Sequence, residues 1–557
     1  LEAELADKAY DTQDAPSNEL EKQLHHIWKD ILGTGQMGIH DTFFEWGGDS
    51  LSVTLLVNRI RKSVQVEVTL QEVFREPTIR GLAELIQSKK QSHLRLEPLT
   101  AAGIEDISIE PAPKMEVYPV TSAQKRLYFI DFLNGAGTSY NVPVVHLLTG
   151  NLQRARVEHA LHQLLLRHEA LRTGFTVVDG EVMQFIEDSS SFELELVELK
   201  EDDVEPYLHS FIRPFDLKHP PLIRAALASI GQDRHLLILD MHHIVTDGLS
   251  MTILTKEFAE LYEGKELPPL KIQYKDFAAW QHKRQLSDSY LRQEQFWLET
   301  LAGELKPLEL AIAYPRPSTR SFEGAIIESA LEPAVSLQLR ELAAQSGTTL
   351  FMLLMAAYSI LLSKHSGRED IIIGTPISGR VSQDVEGLIG MFVGTLPMRY
   401  FPSKRTDIVT YLSEVKERTL KAFENQEYPL EKMVEKLGIQ WETNRNPLFD
   451  TMFQYDHYGM HEIVPLTELS VTPYSVEQRT AKFDLTMSTS MEADVLKIKL
   501  EYATALFSRP AAQALLSDYI KIVTAIVSNP KLLIGEIELE APSLGDGEEV
   551  TAIEFQF

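Results

Sequence analysis

Apolar residues recur every three or four positions near the start of the chain. In SNELEKQLHHIWKDILG, Leu20, Leu24, Ile27 and Ile31 fall on one face, Ser17 and Asn18 precede them and Gly33 follows. This spacing predicts an amphipathic helix with a polar cap and a glycine stop. A second helix is predicted where Val53, Leu56, Val57 and Ile60 share a face, with Ser50 in the capping position. Thr69 with Glu72 three residues on has the signature of a capping box for a third. A short fourth helix, around Gly81 to Ile86, follows Pro77. Residues 18–87 therefore read as a small four-helix bundle, with residues 1–17 as a flank.

The periodicity fades over residues 88–114, where Pro, Ala, Ser and charge accumulate, and this stretch reads as a linker. Beyond it the pattern is mixed. VEHALHQLLLRHEALR has helical spacing, RHLLILDMHHI is a continuous apolar run suited to a buried strand, and TTLFMLLMAAYSILLSKH reads as a long buried helix. An α/β unit of this size exceeds one hydrophobic core, so two lobes are expected, residues 115–290 and 291–540. After Lys531 no Lys or Arg remains, and residues 541–557 read as an exposed acidic tail.

Composition narrows the function. The 557 residues include 53 bases and 81 acids, a net charge of −28 that repels nucleic acid and anionic lipid. A hydrophobic fraction of 44% without an uninterrupted apolar run argues against a membrane segment. There is no cysteine, so any thiol chemistry must use an imported thiol. The opening residues LEAELADKAY lack the layout of a signal peptide; a piece of a longer cytoplasmic polypeptide is expected.

The stretch FFEWGGDSLS, residues 43–52, carries the first candidate chemistry. Ser50 has three readings. It caps a helix; or, as Gly-Asp-Ser-Leu, it is an esterase nucleophile, for which HDTFFEWGG makes a poor preceding strand and Asp240 with His243 a chance partner pair; or it accepts a phosphodiester-linked group. The last uses the field at a helix N-terminus, which favours an incoming phosphate, and the close backbone approach that Gly47 and Gly48 permit. With Phe43-Phe44 and Gly47-Gly48-Asp49-Ser50-Leu51 ahead of its second helix, the bundle resembles a peptidyl carrier domain. The resemblance implies 4′-phosphopantetheine on Ser50, which would supply the missing thiol. Asp49 is a departure, because carriers feeding a condensation domain often have His there and Asp is commoner ahead of epimerisation domains.

MHHIVTDG, residues 241–248, follows the predicted strand and ends at a glycine turn, so its side chains emerge where active sites commonly form. Adjacent residues on a strand face opposite ways, so His242 and His243 cannot both point into one site. The spacing fits no common zinc pattern.

Seven segments in order resemble the condensation domains of non-ribosomal peptide synthetases. They are TSAQKRLYF, RHEALRTGF, MHHIVTDG, YKDFAAW, IGTPISGR with GMFVGTLPMR, NQEYPLEK and RNPLFD, spanning about residues 117 to 455. The resemblance implies two lobes related to chloramphenicol acetyltransferase with a tunnel between them, and amide formation between two carrier-bound substrates. It makes His243 the active-site histidine, acting as a base or holding the amine and oxyanion. Asp247 is then read as a structural anion with Arg380 as its partner, Gly248 as the residue that lets the turn close and aims its N–H at the site, and Arg172 as a support near the channel or a surface residue on a helix. Gly394 and Asn425 stand where the family commonly has Asn and His. The implied partners are an adenylation domain, a downstream carrier domain, a phosphopantetheinyl transferase and aminoacyl or peptidyl thioesters, with an L-configured donor delivered from Ser50. An epimerisation domain, a hydrolase using Ser50 and a non-catalytic docking scaffold are the rivals.

Overall fold

The computed structural model describes residues 15–95, 108–134, 137–188, 192–310, 313–440, 442, 444–456, 466–476, 479–492 and 494–539. The acidic tail, most of the N-terminal flank and residues 96–107 of the linker lie outside the described residues.

The bundle comprises α1 (Glu19–Leu32), α2 (Ser50–Val64), α3 (Leu70–Arg75) and α4 (Ile79–Arg95). Each begins or ends for a local reason. The Asn18 side chain accepts the Glu21 N–H at 2.9 Å, and Gly33 closes α1 in the left-handed conformation at φ 72°. Thr69 and Glu72 form the expected reciprocal box at α3. Trp28 and Phe43 meet edge-on at 5.0 Å in the core. The fourth helix differs from expectation: it continues to Arg95, so the linker assigned to residues 88–114 begins inside a helix. The reason is that SKKQSHLR has no Gly or Pro, and Lys, Gln and Arg sustain a helix without an apolar face.

The chain then runs through β1 (Tyr118–Pro119), α5 (Ser122–Asn134), β2 (Asn141–Gly150), α6 (Arg154–Arg167), β3 (Thr173–Val178), β4 (Glu181–Ile186) and β5 (Leu194–Glu198). It continues with α7 (Val204–Phe211), β6 (Ile223–Gly231), β7 (Arg234–His242), α8 (Gly248–Tyr262), α9 (Tyr274–Arg284) and α10 (Asp288–Thr300). The C-terminal lobe adds β8 (Gly324–Ala330), α11 (Pro333–Ser346), α12 (Leu350–Ser366), β9 (Ile371–Ile377), β10 (Gly394–Tyr400), α13 (Ile408–Glu424) and α14 (Leu430–Lys436). Last come β11 (Thr451–Asp456), β12 (Leu469–Pro473), β13 (Leu485–Glu492), β14 (Val495–Ala503) and α15 (Arg509–Ser528).

Each lobe is built on one large sheet. In the N-terminal lobe the order is β12-β2-β7-β6-β5, and β7 sits between antiparallel neighbours. Leu237, Leu239 and Met241 face α6 and α8, whereas Leu236 and Ile238 face α7. Burial on both faces explains why this strand reads as an apolar run without alternation. The C-terminal sheet has the order β10-β9-β11-β13-β14-β8 and carries α12, whose residues 351–363 are all buried.

The lobes exchange chain. Strand β12, expected in the C-terminal lobe, pairs with β2 and completes the N-terminal sheet, with Val471 opposite Leu148. The segment 385–392 likewise packs its Val385, Leu388 and Phe392 around Tyr274 of α9. Sequence order thus divides the lobes less cleanly than a cut at residue 290 implies, because a sheet edge is filled by whichever segment reaches it. Among the described residues, one helix, α15, has the length and mean hydropathy, 1.2, of a membrane span. It lays Tyr519, Ile522 and Val523 into the core of the C-terminal lobe.

Candidate active site

Strand β7 delivers the two histidines to the junction of the lobes, where their fates diverge. The His242 N–H donates to the Leu222 carbonyl at 3.0 Å, and its buried ring accepts the Ile244 N–H on Nδ1 at 3.1 Å and meets Phe215 edge-on. Burial and the neighbouring positive groups hold His242 down at about 3. Grouped with His243 in the sequence, it does not line the cavity and serves the turn instead.

The chain leaves the strand at His243, whose N–H donates to the Tyr140 carbonyl at 2.8 Å. Its Nδ1 lies 2.8 Å from the Thr246 carbonyl oxygen. A carbonyl only accepts, so Nδ1 carries the proton and Nε2 keeps its lone pair. Burial first, and the charge of Lys482 second, push His243 down to about 4, against the opposing pull of Thr246 and Asp247. The imidazole is therefore neutral at pH 7. It opens onto a cavity of about 510 Å³ between the lobes. That volume suits a small organic ligand. Tyr140, Gly248 and Arg126 line it from one lobe, and Met391, Phe449 and Lys482 from the other.

Asp247 lies beneath this floor and caps α8. Its Oδ1 accepts the Ser250 N–H at 2.8 Å and Arg380 at 3.1 Å, and its Oδ2 accepts the Phe392 N–H at 3.1 Å. Ser250 Oγ sits 2.6 Å from the same Oδ1 and accepts the Gly390 N–H at 3.1 Å. Arg380 also donates to the carbonyls of Val385 at 2.6 Å and Leu388 at 2.8 Å, and stacks its guanidinium 4.0 Å from the centre of the Phe392 ring. The ion pair is fully desolvated, both side chains being 1% exposed. It clasps a loop of one lobe to the histidine motif of the other. Gly379 is required here, because its φ of +62° is left-handed and a Cβ would overlap the Phe392 carbonyl.

Two expectations are corrected. Gly248 is not needed to close a turn: its φ is outside the left-handed region and a Cβ would meet nothing within 4 Å. What it leaves is open space in the cavity and, as the first residue of α8, an N–H without an intrahelical acceptor. For Arg172 it is the surface reading that falls, and the side chain does not line the cavity. It is buried and donates to the carbonyls of Leu165, at 2.8 Å, and Glu187.

Sequence reasoning misses the ion pair of Arg126 in α5 with Glu431 in α14, 3.3 Å apart, which spans the lobes at the cavity. It also misses Lys482, 5.2 Å from the centre of the Tyr140 ring, whose ammonium burial makes easier to deprotonate. Arg126 lies inside TSAQKRLYF, and Lys482 is a charge set beside buried Ala481; both are visible in the chain, but not their convergence. Gly394 opens β10, and Asn425 ends α13, donating to the Lys421 carbonyl at 2.8 Å.

At the bundle, Asp49 rather than Ser50 is the cap of α2. It accepts the Ser52 N–H at 2.8 Å while its own N–H donates to Ser52 Oγ at 2.7 Å. Ser50 is the first helical residue, and its side chain lies outside the described residues. Gly47 has a left-handed φ of +90°, and Gly48 is small because a Cβ would overlap the Phe43 ring, an internal contact rather than an opening for a partner. No buried strand precedes Ser50, only turns, which removes the support an esterase elbow needs. Burial and, after it, the charge of Asp49 raise the hydroxyl of Tyr455 in β11 to about 12; the next residue, Asp456, lines the cavity.

Residues 114–543 match the family of the condensation domain, and residues 22–86 match the phosphopantetheine attachment site. The chain belongs to the condensation-domain family. Its N-terminal bundle is a carrier that takes 4′-phosphopantetheine on a serine. Tyrocidine synthase 3 of Brevibacillus parabrevis is 41% identical over 525 residues, covering 94% of this chain and 8% of that protein. Bacitracin synthase 3 of Bacillus licheniformis is 39% identical over 525 residues, covering 94% and 8%. The chain thus spans a small part of these relatives. Among solved structures, the X-domain from teicoplanin biosynthesis aligns with a TM-score of 0.73 at 24% identity, over 78% of this chain and all of that one. The four-domain nonribosomal peptide synthetase holo-AB3403 aligns at 0.70 and 21%, over 79% of this chain and 35% of that one. These two likenesses concern the fold, that of the two-lobed condensation domain preceded here by its carrier.

Proposed function

We propose that this chain is the carrier and condensation didomain of a cytoplasmic non-ribosomal peptide synthetase and forms a peptide bond. The donor is an L-configured aminoacyl or peptidyl group held at Ser50, and the acceptor is the amine of an aminoacyl group on a downstream carrier. The observation that carries the reading is His243, whose Nδ1 is committed to Thr246 and whose ring lines the cavity between the lobes.

The bundle fits a phosphopantetheine arm. Ser50 opens α2 and the cap is supplied by Asp49. Bound there, the arm supplies the thiol that carries the acyl group. The rest falls to this chain's own side chains and backbone. Nε2 of His243 accepts a hydrogen bond from the attacking amine, or its proton, and the Gly248 N–H at the start of α8 is placed to favour negative charge on the carbonyl oxygen. As the C–N bond forms, the arm would supply the sulfur leaving group that the C–S bond gives up and that takes the amine proton, while His243 holds the amine. Asp247 has both oxygens occupied and acts by holding α8 and Arg380 in place.

Asp49, which favoured an epimerisation domain, is accounted for by its capping role. Loading requires an adenylation domain and a phosphopantetheinyl transferase. The test is intact mass after treatment with aminoacyl-coenzyme A and that transferase, followed by a loaded downstream carrier. The expected result is a gain at Ser50, absent in Ser50→Ala, and then a dipeptide on the second carrier. Free acid would indicate a hydrolase, an inverted residue an epimerase, and no change a scaffold.

A further inference from the structure

The carrier meets the C-terminal lobe through two helices. Lys416 of α13 lies 5.6 Å from the centre of the Phe74 ring in α3, a contact that tolerates sliding. The other contact is directional. Arg59 and Lys62, one turn apart on α2, face Glu386 and Asp384, at 2.8 and 3.0 Å. The first pair is largely withdrawn from water, 17% and 25% exposed, and Asp30 of α1, 3.9 Å away, holds Arg59 toward it from within the carrier. The second is more open, with Lys62 at 52%, and contributes less.

The partners of these bases are not ordinary surface acids. Residues 383–388 form a tight turn, with the Val385, Glu386 and Leu388 N–H groups bonded to the carbonyls of Ser382, Gln383 and Val385. Val385 is fully buried, and Arg380 grips the carbonyls of Val385 and Leu388, on either side of Glu386. The same guanidinium grips Asp247, four residues from His243. The acids that touch the carrier and the turn that carries the imidazole are therefore fixed to one rigid part.

We propose that residues 383–388 are a carrier-reading turn, in which Glu386 and, secondarily, Asp384 recognise Arg59 and Lys62 and so set the start of α2 at a fixed position relative to His243. This deepens the proposed function and rests on it. Because the linker already keeps the carrier at high local concentration, the ion pairs select its orientation more than its presence. The kind of partner this turn fits is a carrier with two bases one turn apart on its second helix; one with acids there is turned away by like charge.

Two readouts on the full chain test this. In the first, hydrogen exchange of residues 383–388 is compared in the parent, Arg59→Glu and the swap Arg59→Glu with Glu386→Arg. Exchange is expected to rise several-fold in the single variant and return in the swap. In the second, single-turnover transfer is measured from the aminoacyl group on Ser50 and from a free aminoacyl N-acetylcysteamine thioester. Arg59→Glu is expected to slow the carrier-borne reaction by about tenfold, the swap to restore it, and the free thioester to react alike with all three proteins. Unchanged exchange and transfer in Arg59→Glu, or a swap that restores neither, would overturn the proposal. If the parent transfers nothing from Ser50, the proposed function fails, and the exchange measurement still decides whether the turn reads the carrier.

Discussion

The carrier and the site between the lobes place a functional residue at the start of a helix in opposite ways. Asp49 caps α2 through Ser52, three residues away, by bonds made within one turn of chain. Asp247 caps α8 by accepting the Ser250 N–H, without the reciprocal bond that Ser52 returns to Asp49, and it is also bound to Arg380 and Phe392, 133 and 145 residues along the chain. A carrier must travel between partners, so the cap at its functional end is made within its own helix. A condensation site must hold two substrates in register, and long-range bonds from the second lobe fix its floor. The difference teaches that an aspartate cap is made within one turn in one region and is a keystone in the other.

The sharpest way to break that contrast is to cut the keystone. Arg380→Met leaves the Asp247 carboxylate buried and unpaired and is expected to cost about 3–5 kcal/mol in denaturant unfolding. Combining it with Asp247→Asn removes the charge as well as its partner and should recover much of the loss. Equal losses in the single and double variants would mean that the pair does not clasp the lobes. Next in size, Asp49→Ala is expected to cost about 1 kcal/mol, read as faster hydrogen exchange in the first turn of α2 and unchanged exchange in α8. A loss spread over both regions would show that the effect of the carrier's cap is not confined to its own helix.

The smallest effect concerns protonation. In the proposed function His243 works as the neutral imidazole, and Lys482 helps hold it down at about 4. The charged groups facing it are Lys482, which disfavours the proton, and Asp247, which favours it. Replacing Lys482 with Met removes a repelling charge, so the folded value should rise toward the ordinary histidine value of about 6.5. The acid limb of the transfer rate is then lost at a higher pH than in the parent, by a fraction of a unit, for the same acceptor amine. A limb that stays in place or moves down would contradict the role of Lys482.

The same division governs what can be read from the sequence. The caps at Asn18 and Thr69, the stop at Gly33 and the buried strand and helix at residues 234–242 and 350–366 are legible because each is written within one or two turns of chain. The cap of α2 falls to Ser50 in the sequence because Asp49 and Ser50 are both good caps, and only the reciprocal bond to Ser52 distinguishes them. The extension of α4 to Arg95 escapes the pattern because it follows no apolar period. Nothing local announces that β12 crosses to the other lobe, or that Arg126 meets Glu431 and Lys482 meets Tyr140. His243, by contrast, is reached through its neighbours in MHHIVTDG, and the partnership of Asp247 with Arg380 through the family resemblance, not through any periodicity.

A neutral imidazole in the cavity is proposed to promote transfer of what the carrier brings. This role is tested most directly by loading Ser50 with an aminoacyl-pantetheine in the parent and in His243→Ala, adding an acceptor-loaded carrier, and following the acyl group by intact mass in a single turnover. Rapid discharge to dipeptide is expected in the parent and, in the variant, equal loading with discharge slowed by about 10² to 10⁴. Discharge of the variant at the parent's rate would contradict that role.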